Sequence, residues 1–137
     1  MAELQEIEPG YLRQSFAGDF YNTAVYLKRA FAHIDSCLLT ALGKDPLSEA
    51  MLTHCEREQL NCASVMRSPD RIPGLYWIKT DAEGERTFTY WRDNSAARQL
   101  MSLMDEVTRT ALLQADWFFF SGISLAVLEP HDRPLFW

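Results

Sequence analysis

No run in this 137-residue sequence approaches the roughly 20 apolar residues of a membrane span, which excludes a helical membrane anchor within it. Cysteine is scarce: Cys37, Cys55 and Cys62 are odd in number, widely spaced and form no CxxC pair. That pattern excludes a disulfide framework and reads as free thiols in a reducing compartment. Histidine is as sparse. His33, His54 and His131 never fall four residues apart, and neighbours such as His54 and Cys55 point about 100° apart on a helix, so the sequence argues against a metal site. Positive charge is in deficit, with 13 Lys and Arg against 19 Asp and Glu, a net charge of −6. Neither nucleic acid nor an anionic membrane surface is then the expected partner. The opening Met1-Ala2-Glu3-Leu4-Gln5-Glu6 is acidic and polar rather than a secretory leader, so a cytoplasmic location is expected. Repeats, low-complexity tracts and internal linkers are absent.

Aromatic residues, by contrast, are concentrated in one place. Residues 73–92, PGLYWIKTDAEGERTFTYWR, read as a β-hairpin whose arms are rich in strand formers. Asp81-Ala82-Glu83-Gly84 is the turn, with Gly84 where a positive φ is expected. Tyr76, Trp77, Phe88, Tyr90 and Trp91 load both faces, so the hairpin must cover a core, a partner chain or a ligand. Tyr90 and Arg92 are two apart and share a face. A five-residue loop, Asp81 to Glu85, sets Tyr76 opposite Tyr90, whereas a four-residue loop sets Thr89 there.

Elsewhere the pattern alternates between helix and strand. The first fifteen residues carry little pattern beyond a Pro9-Gly10 turn. Phe20 to Ala32 reads as a helix with an apolar stripe of Phe20, Ala24, Leu27 and Phe31, and Asp19 is its expected N-cap. Ile34 to Leu42 reads as a buried strand ending at Gly43. Asp45-Pro46 starts a second helix, Asp as cap and Pro in the first turn, with Leu47, Met51 and Cys55 inward. Asn61 to Met66 reads as a short strand, Ser95 to Gln114 as a long amphipathic helix with Ala97, Leu100, Met101, Met104, Val107 and Ala111 as its apolar stripe, and Trp117 to Phe120 as a central parallel strand. This order predicts an α/β domain with a parallel sheet and ligands near the strand ends, close to Gly43 and Gly122. Ending soon after its most apolar strand, the sequence is read as part of a larger domain.

Four segments in fixed order carry a family resemblance. They are Phe16-Ala17-Gly18-Asp19-Phe20-Tyr21-Asn22-Thr23-Ala24, Thr40-Ala41-Leu42-Gly43-Lys44-Asp45, the hairpin, and Phe120-Ser121-Gly122-Ile123-Ser124. Together they resemble the N-terminal portion of the ribokinase-like (PfkB-type) carbohydrate kinases. Leu75-Tyr76, Gly84-Glu85-Arg86-Thr87-Phe88, Tyr90-Trp91-Arg92 and Ser95-Ala96-Ala97 narrow the likeness to the 2-keto-3-deoxygluconate kinases. The resemblance implies that residues 1–137 are one portion of a three-layer α/β/α domain, incomplete at both ends, with a β-hairpin lid at about 71–92. It implies sugar contacts at Gly18, Asp19 and Asn22, and substrate and carboxylate contacts at Tyr76, Tyr90 and Arg92. Unaided, the residues allow a helix cap with a spectator Asn22, and aromatics that only pack the lid or a second copy.

Departures from the family bear on activity. Ala17 stands where a second glycine is usual. The strand that normally leads into Met1 is missing, as is the Gly-Ala-Gly-Asp segment with its anion hole and catalytic Asp. No GxxxxGK[ST] phosphate loop replaces it. The resemblance therefore implies ATP and Mg²⁺ for the full-length enzyme, none held by residues here, and no catalytic residue among 1–137. The expected function is the acceptor half of a sugar-acid kinase, inactive alone, with a small sugar acid as ligand and a homodimer through the lid as a further partner. Two alternatives stay open: a portion of a neutral-sugar ribokinase or fructokinase, which would not need Arg92, and a non-catalytic sugar-acid binding or dimerisation module.

Overall fold

The computed structural model describes residues 1–136; Trp137, the last residue of the expected domain span, lies outside the described residues. Two strands open the chain, β1 (Ala2–Glu8) and β2 (Tyr11–Phe16). They are joined at Pro9-Gly10, where Gly10 takes φ 81°, as a tight turn with Pro followed by Gly requires. Helix α1 (Asp19–Ala30) follows, then β3 (Thr40–Leu42), α2 (Pro46–Arg57) and β4 (Val65–Arg67). The arms of the aromatic hairpin are β5 (Leu75–Thr80) and β6 (Arg86–Trp91). A 3-10 turn (Ala96–Gln99), α3 (Leu100–Leu103), α4 (Glu106–Leu113), α5 (Gly122–Val127) and a last 3-10 turn (Arg133–Phe136) complete the described chain.

The strands form a two-stranded parallel pair, β3-β4, and a four-stranded sheet in the order β2-β1-β5-β6. β1 is the hub of the larger sheet, antiparallel to β2 and parallel to β5. The first fifteen residues, expected to lack pattern, thus double the width of the hairpin sheet. Polar residues such as Glu3, Gln5, Arg13 and Gln14 mask the strand period, because much of this ribbon is solvated.

The main core lies where α1 and α2 meet the parallel pair. Tyr21 and Val25 of α1, Met51 and Cys55 of α2, Leu38, Leu42 and Leu60 are buried together. The α1 stripe is rotated from the expected one: Phe20 and Ala24 pack against this core, but Leu27 and Phe31 are exposed. Burial pushes the Cys55 thiol up to about 12, so it is inert at neutral pH.

Helix α2 begins as expected. The Asp45 carboxylate accepts from the Leu47 and Ser48 backbone N–H groups at 3.0 and 3.1 Å. The Ser48 hydroxyl donates to Asp45 at 2.6 Å and accepts from the Gly43 N–H at 2.8 Å. Gly43 is therefore part of a cap: a Cβ there would lie 2.3 Å from the Arg71 carbonyl oxygen. Burial opposes ionisation of Asp45, but the Ser48 and Leu47 hydrogen bonds outweigh it and hold the carboxyl below its usual range. A lowered folded value stabilises the fold above the unfolded value of about 3.9, and that stability is lost as pH falls through the folded value. Urea midpoints should drop below about pH 4. In Asp45→Asn, which keeps a capping oxygen that does not titrate, this part of the drop should vanish.

Three other expectations are corrected. The strand expected over 34–42 is confined to β3, preceded by a single bridge between Cys37 and Asn61, while the strand expected over 61–66 is β4, starting at Val65. The expected helix over 95–114 is three pieces, because Met104 turns extended (ψ 116°) and Asp105 caps a fresh helix, accepting from the Thr108 N–H at 2.7 Å. Val107 and Ala111, expected in its apolar stripe, are exposed. Trp117 to Phe120 is not a strand: Trp117 is 93% exposed and the run joins neither sheet. A parallel strand needs a neighbouring strand to take its ladder bonds.

Candidate functional site

The hairpin register places one row of side chains across all four strands. Ser15 faces Glu3, Glu3 faces Tyr76, and Tyr76 faces Tyr90. The loop between β5 and β6 has five residues, closed by Asp81 N–H to the Glu85 carbonyl at 3.0 Å, and Gly84 takes φ 87°. Tyr76 opposite Tyr90 is therefore the register found, and Thr89 faces Trp77 instead.

Contacts run along the row. The Ser15 hydroxyl donates to Glu3 Oε1 at 2.9 Å, and the Tyr76 hydroxyl donates to Glu3 Oε2. The Tyr76 ring lies 5.8 Å from the Tyr90 ring, with Phe88 6.2–6.3 Å from both. The Arg92 guanidinium sits over the Tyr90 ring, 4.6 Å from its centroid, a cation–π geometry. Tyr76 is buried and Tyr90 half exposed. Burial first, then the bond to Glu3, pushes the Tyr76 phenol well above its usual range, so it stays protonated. Arg92 makes no ion pair among the described residues.

Gly18, Asp19 and Asn22 sit at the start of α1. The N-cap is Gly18, not the expected Asp19, with φ 148° and no side-chain cap bond. That φ favours glycine. Asp19 occupies the first turn, where its charge suits the helix dipole, and the Asn22 N–H donates to the Gly18 carbonyl at 2.8 Å. Asp19 and Asn22 are exposed.

Met1 connects this segment to the hairpin. The Met1 and Ala17 backbones bond each other at 2.8 and 3.1 Å, and the Ala2 N–H donates to the Gly74 carbonyl at 2.9 Å. Added Cβ atoms would meet Met1 N at 3.7 Å from Gly18, and Met1 Sδ at 3.4 Å and Arg92 Cβ at 3.2 Å from Gly74. The turn into α1 and the base of β6 therefore flank one residue. Asn22 looks elsewhere as well: it lines a shallow cleft of about 160 Å³ between α1 and α2, with Phe16, Tyr21, Arg29, His54 and Glu58. No hairpin residue lines that cleft.

Glu3 is the residue that sequence reasoning missed. Its signal was present only as a carboxylate two residues from the chain start, 73 residues from the tyrosine it bonds. Gly43 and Gly122, expected near the site, both sit at helix starts: Gly43 belongs to the α2 cap, and Gly122 opens α5 behind a Ser121–Ser124 capping box.

Among the described residues, no group of three or more His, Cys, Asp or Glu could hold a metal ion. The sequence carries no GxxxxGK[ST] phosphate loop either, so the described residues offer no donor set fitted to a nucleotide–Mg²⁺ site. No helix among the described residues is long and apolar enough to cross a membrane.

The family model for pfkB family carbohydrate kinases matches residues 2–134. A 2-dehydro-3-deoxygluconokinase of Dickeya dadantii (strain 3937) is 42% identical over 125 residues, which is 89% of this chain and 40% of the relative. One from Escherichia coli (strain K12) is 40% identical over 136 residues, 97% of this chain and 44% of the relative. The chain thus spans less than half the length of the curated relatives it matches. In fold it is similar to the crystal structure of 2-dehydro-3-deoxygluconokinase from Thermotoga maritima, with a TM-score of 0.80 at 23% identity over 98% of this chain and 42% of that one. A sugar kinase from Pyrococcus horikoshii, in complex with ATP, aligns with a TM-score of 0.79 at 16% identity over 98% of this chain and 44% of that one. The α/β fold is common to them, and the chain belongs to the pfkB family of carbohydrate kinases.

Proposed function

We propose that this chain is the acceptor-binding, N-terminal portion of an ATP-dependent kinase that phosphorylates 2-keto-3-deoxygluconate on its terminal hydroxyl, with the aromatic hairpin as its lid. The names of the relatives support the substrate. The observation that carries the acid preference is Arg92, a guanidinium seated on Tyr90 and lacking a carboxylate partner among the described residues. Such a group suits a substrate carboxylate through charge-assisted, bidentate hydrogen bonds. Gly18, Asp19 and Asn22 would take the sugar's hydroxyls, the glycine allowing close backbone approach. The lid would exclude water from the acceptor. ATP with Mg²⁺ would supply the phosphoryl group, held by segments beyond these residues.

The test is a full-length hybrid in which residues 1–137 replace the matching segment of the Escherichia coli relative. It should use 2-keto-3-deoxygluconate at least about 10-fold better in kcat/KM than fructose or ribose, since one charged hydrogen bond is worth about that factor. A folded hybrid that prefers a neutral sugar, or phosphorylates neither, overturns the reading.

A second copy of the chain is proposed as partner for the lid's other face. Leu12 and Trp91 are exposed there, and the buried Trp77 indole N–H finds no acceptor among the described residues. Sedimentation of the hybrid should give a dimer that Trp91→Asp weakens; a monomer at micromolar concentration contradicts it.

A further inference from the structure

We propose that Glu3 is a positioning residue of the acceptor site: it accepts the hydrogen bond of the Tyr76 phenol, so the Tyr76 oxygen meets a ligand only as an acceptor and selects a hydroxyl, not a carboxylate, at that point. The inference rests on the acceptor-site reading above. The geometry leaves the Glu3 carboxylate few alternatives. One oxygen accepts from Ser15 and the other from Tyr76, both donors coming from directly paired strand positions. A phenol has one proton and two acceptor lone pairs. With the proton committed to Glu3, a substrate hydroxyl can donate to Tyr76, but a substrate carboxylate has nothing to accept from it.

The same row has an electrical sense. Glu3 carries negative charge on β1, and Arg92 carries positive charge just past the end of β6, beside Tyr90. Two strand spacings, roughly 10 Å, separate β1 from β6. A sugar acid laid along the row has one favourable orientation, carboxylate toward Arg92 and polyol toward Tyr76. A neutral sugar feels no such sense. Glu3 thus acts through the Tyr76 hydroxyl, without touching the ligand.

The test is a double-mutant cycle in the hybrid kinase with 2-keto-3-deoxygluconate, joined to a titration on residues 1–137. A carboxamide has one accepting oxygen and one donating nitrogen, so Glu3→Gln cannot accept from Ser15 and Tyr76 together through its two ends. Glu3→Gln should lower kcat/KM about 10-fold, the scale of one good hydrogen bond, mainly through KM. Added to Tyr76→Phe, it should cost no more than about 2-fold further, because the partner it acts through is gone. If Glu3→Gln costs as much in the Tyr76→Phe background as alone, Glu3 acts independently of Tyr76 and the proposal fails. If Tyr76→Phe has no effect on the acid, the acceptor-site reading fails instead. On residues 1–137 the absorbance titration of tyrosinate, assigned with Tyr76→Phe, should move to lower pH in Glu3→Gln. An unmoved Tyr76 titration in a folded variant overturns the proposal without reference to activity.

Discussion

Residues 1–137 on their own should release no ADP from ATP above a protein-free control when given 2-keto-3-deoxygluconate. Phosphoryl transfer is catalysed almost entirely by positioning and by electrostatic stabilisation of the transferred group. Removing a single positioned donor from such a site already costs roughly 10²- to 10³-fold in rate. This chain has neither a phosphate loop nor, among the described residues, a cluster able to hold a metal. Its matched relatives are more than twice as long. The expected loss is therefore complete on any practical assay scale. Steady ADP release that scales with purified protein, and that depends on the sugar acid, would contradict the assignment of these residues to the acceptor side.

In the full-length hybrid, Arg92→Ala should cut kcat/KM for 2-keto-3-deoxygluconate by about 10- to 100-fold. A hydrogen bond to a charged group is worth roughly 1.5–3 kcal/mol, and 1.4 kcal/mol is tenfold. Arg92→Lys should recover only part of this, because an ammonium lacks the planar fork and does not stack on the Tyr90 ring in the same way. A neutral sugar has no charge to lose, so its much lower turnover should be almost unchanged by either substitution. Equal losses on both substrates would mean that Arg92 holds the base of the hairpin together. The contact that would carry such a structural role is the seating of the Arg92 guanidinium on the Tyr90 ring.

Where local chemistry decides the conformation, the sequence was readable. Asp45-Pro46 specifies a capped helix start, and the structure places both residues there. The period of two in a strand puts Tyr90 and Arg92 on one face, and the five-residue loop brings Tyr76 opposite Tyr90. Where a distant partner decides, it was not. β1 and β2 carry polar residues on both faces, and pairing with β5 is what makes them part of a sheet. The apolar run from Trp117 to Phe120 illustrates the converse: its strand propensity is high, yet it enters neither sheet. The break at Met104 had a local signal in Asp105, hidden because the apolar spacing ran across it. Glu3 had none beyond being a carboxylate near the chain start, since its contact with Tyr76 follows from a register set by strands far apart in sequence.

The most direct measurement is a crystal structure of the hybrid kinase with 2-keto-3-deoxygluconate bound. The account predicts the carboxylate within hydrogen-bonding distance of the Arg92 guanidinium, a sugar hydroxyl donating to Tyr76 Oη, and the remaining hydroxyls toward Gly18, Asp19 and Asn22. A carboxylate bound away from Arg92, or a sugar on the opposite face of the hairpin beside Trp77 and Trp91, would contradict it.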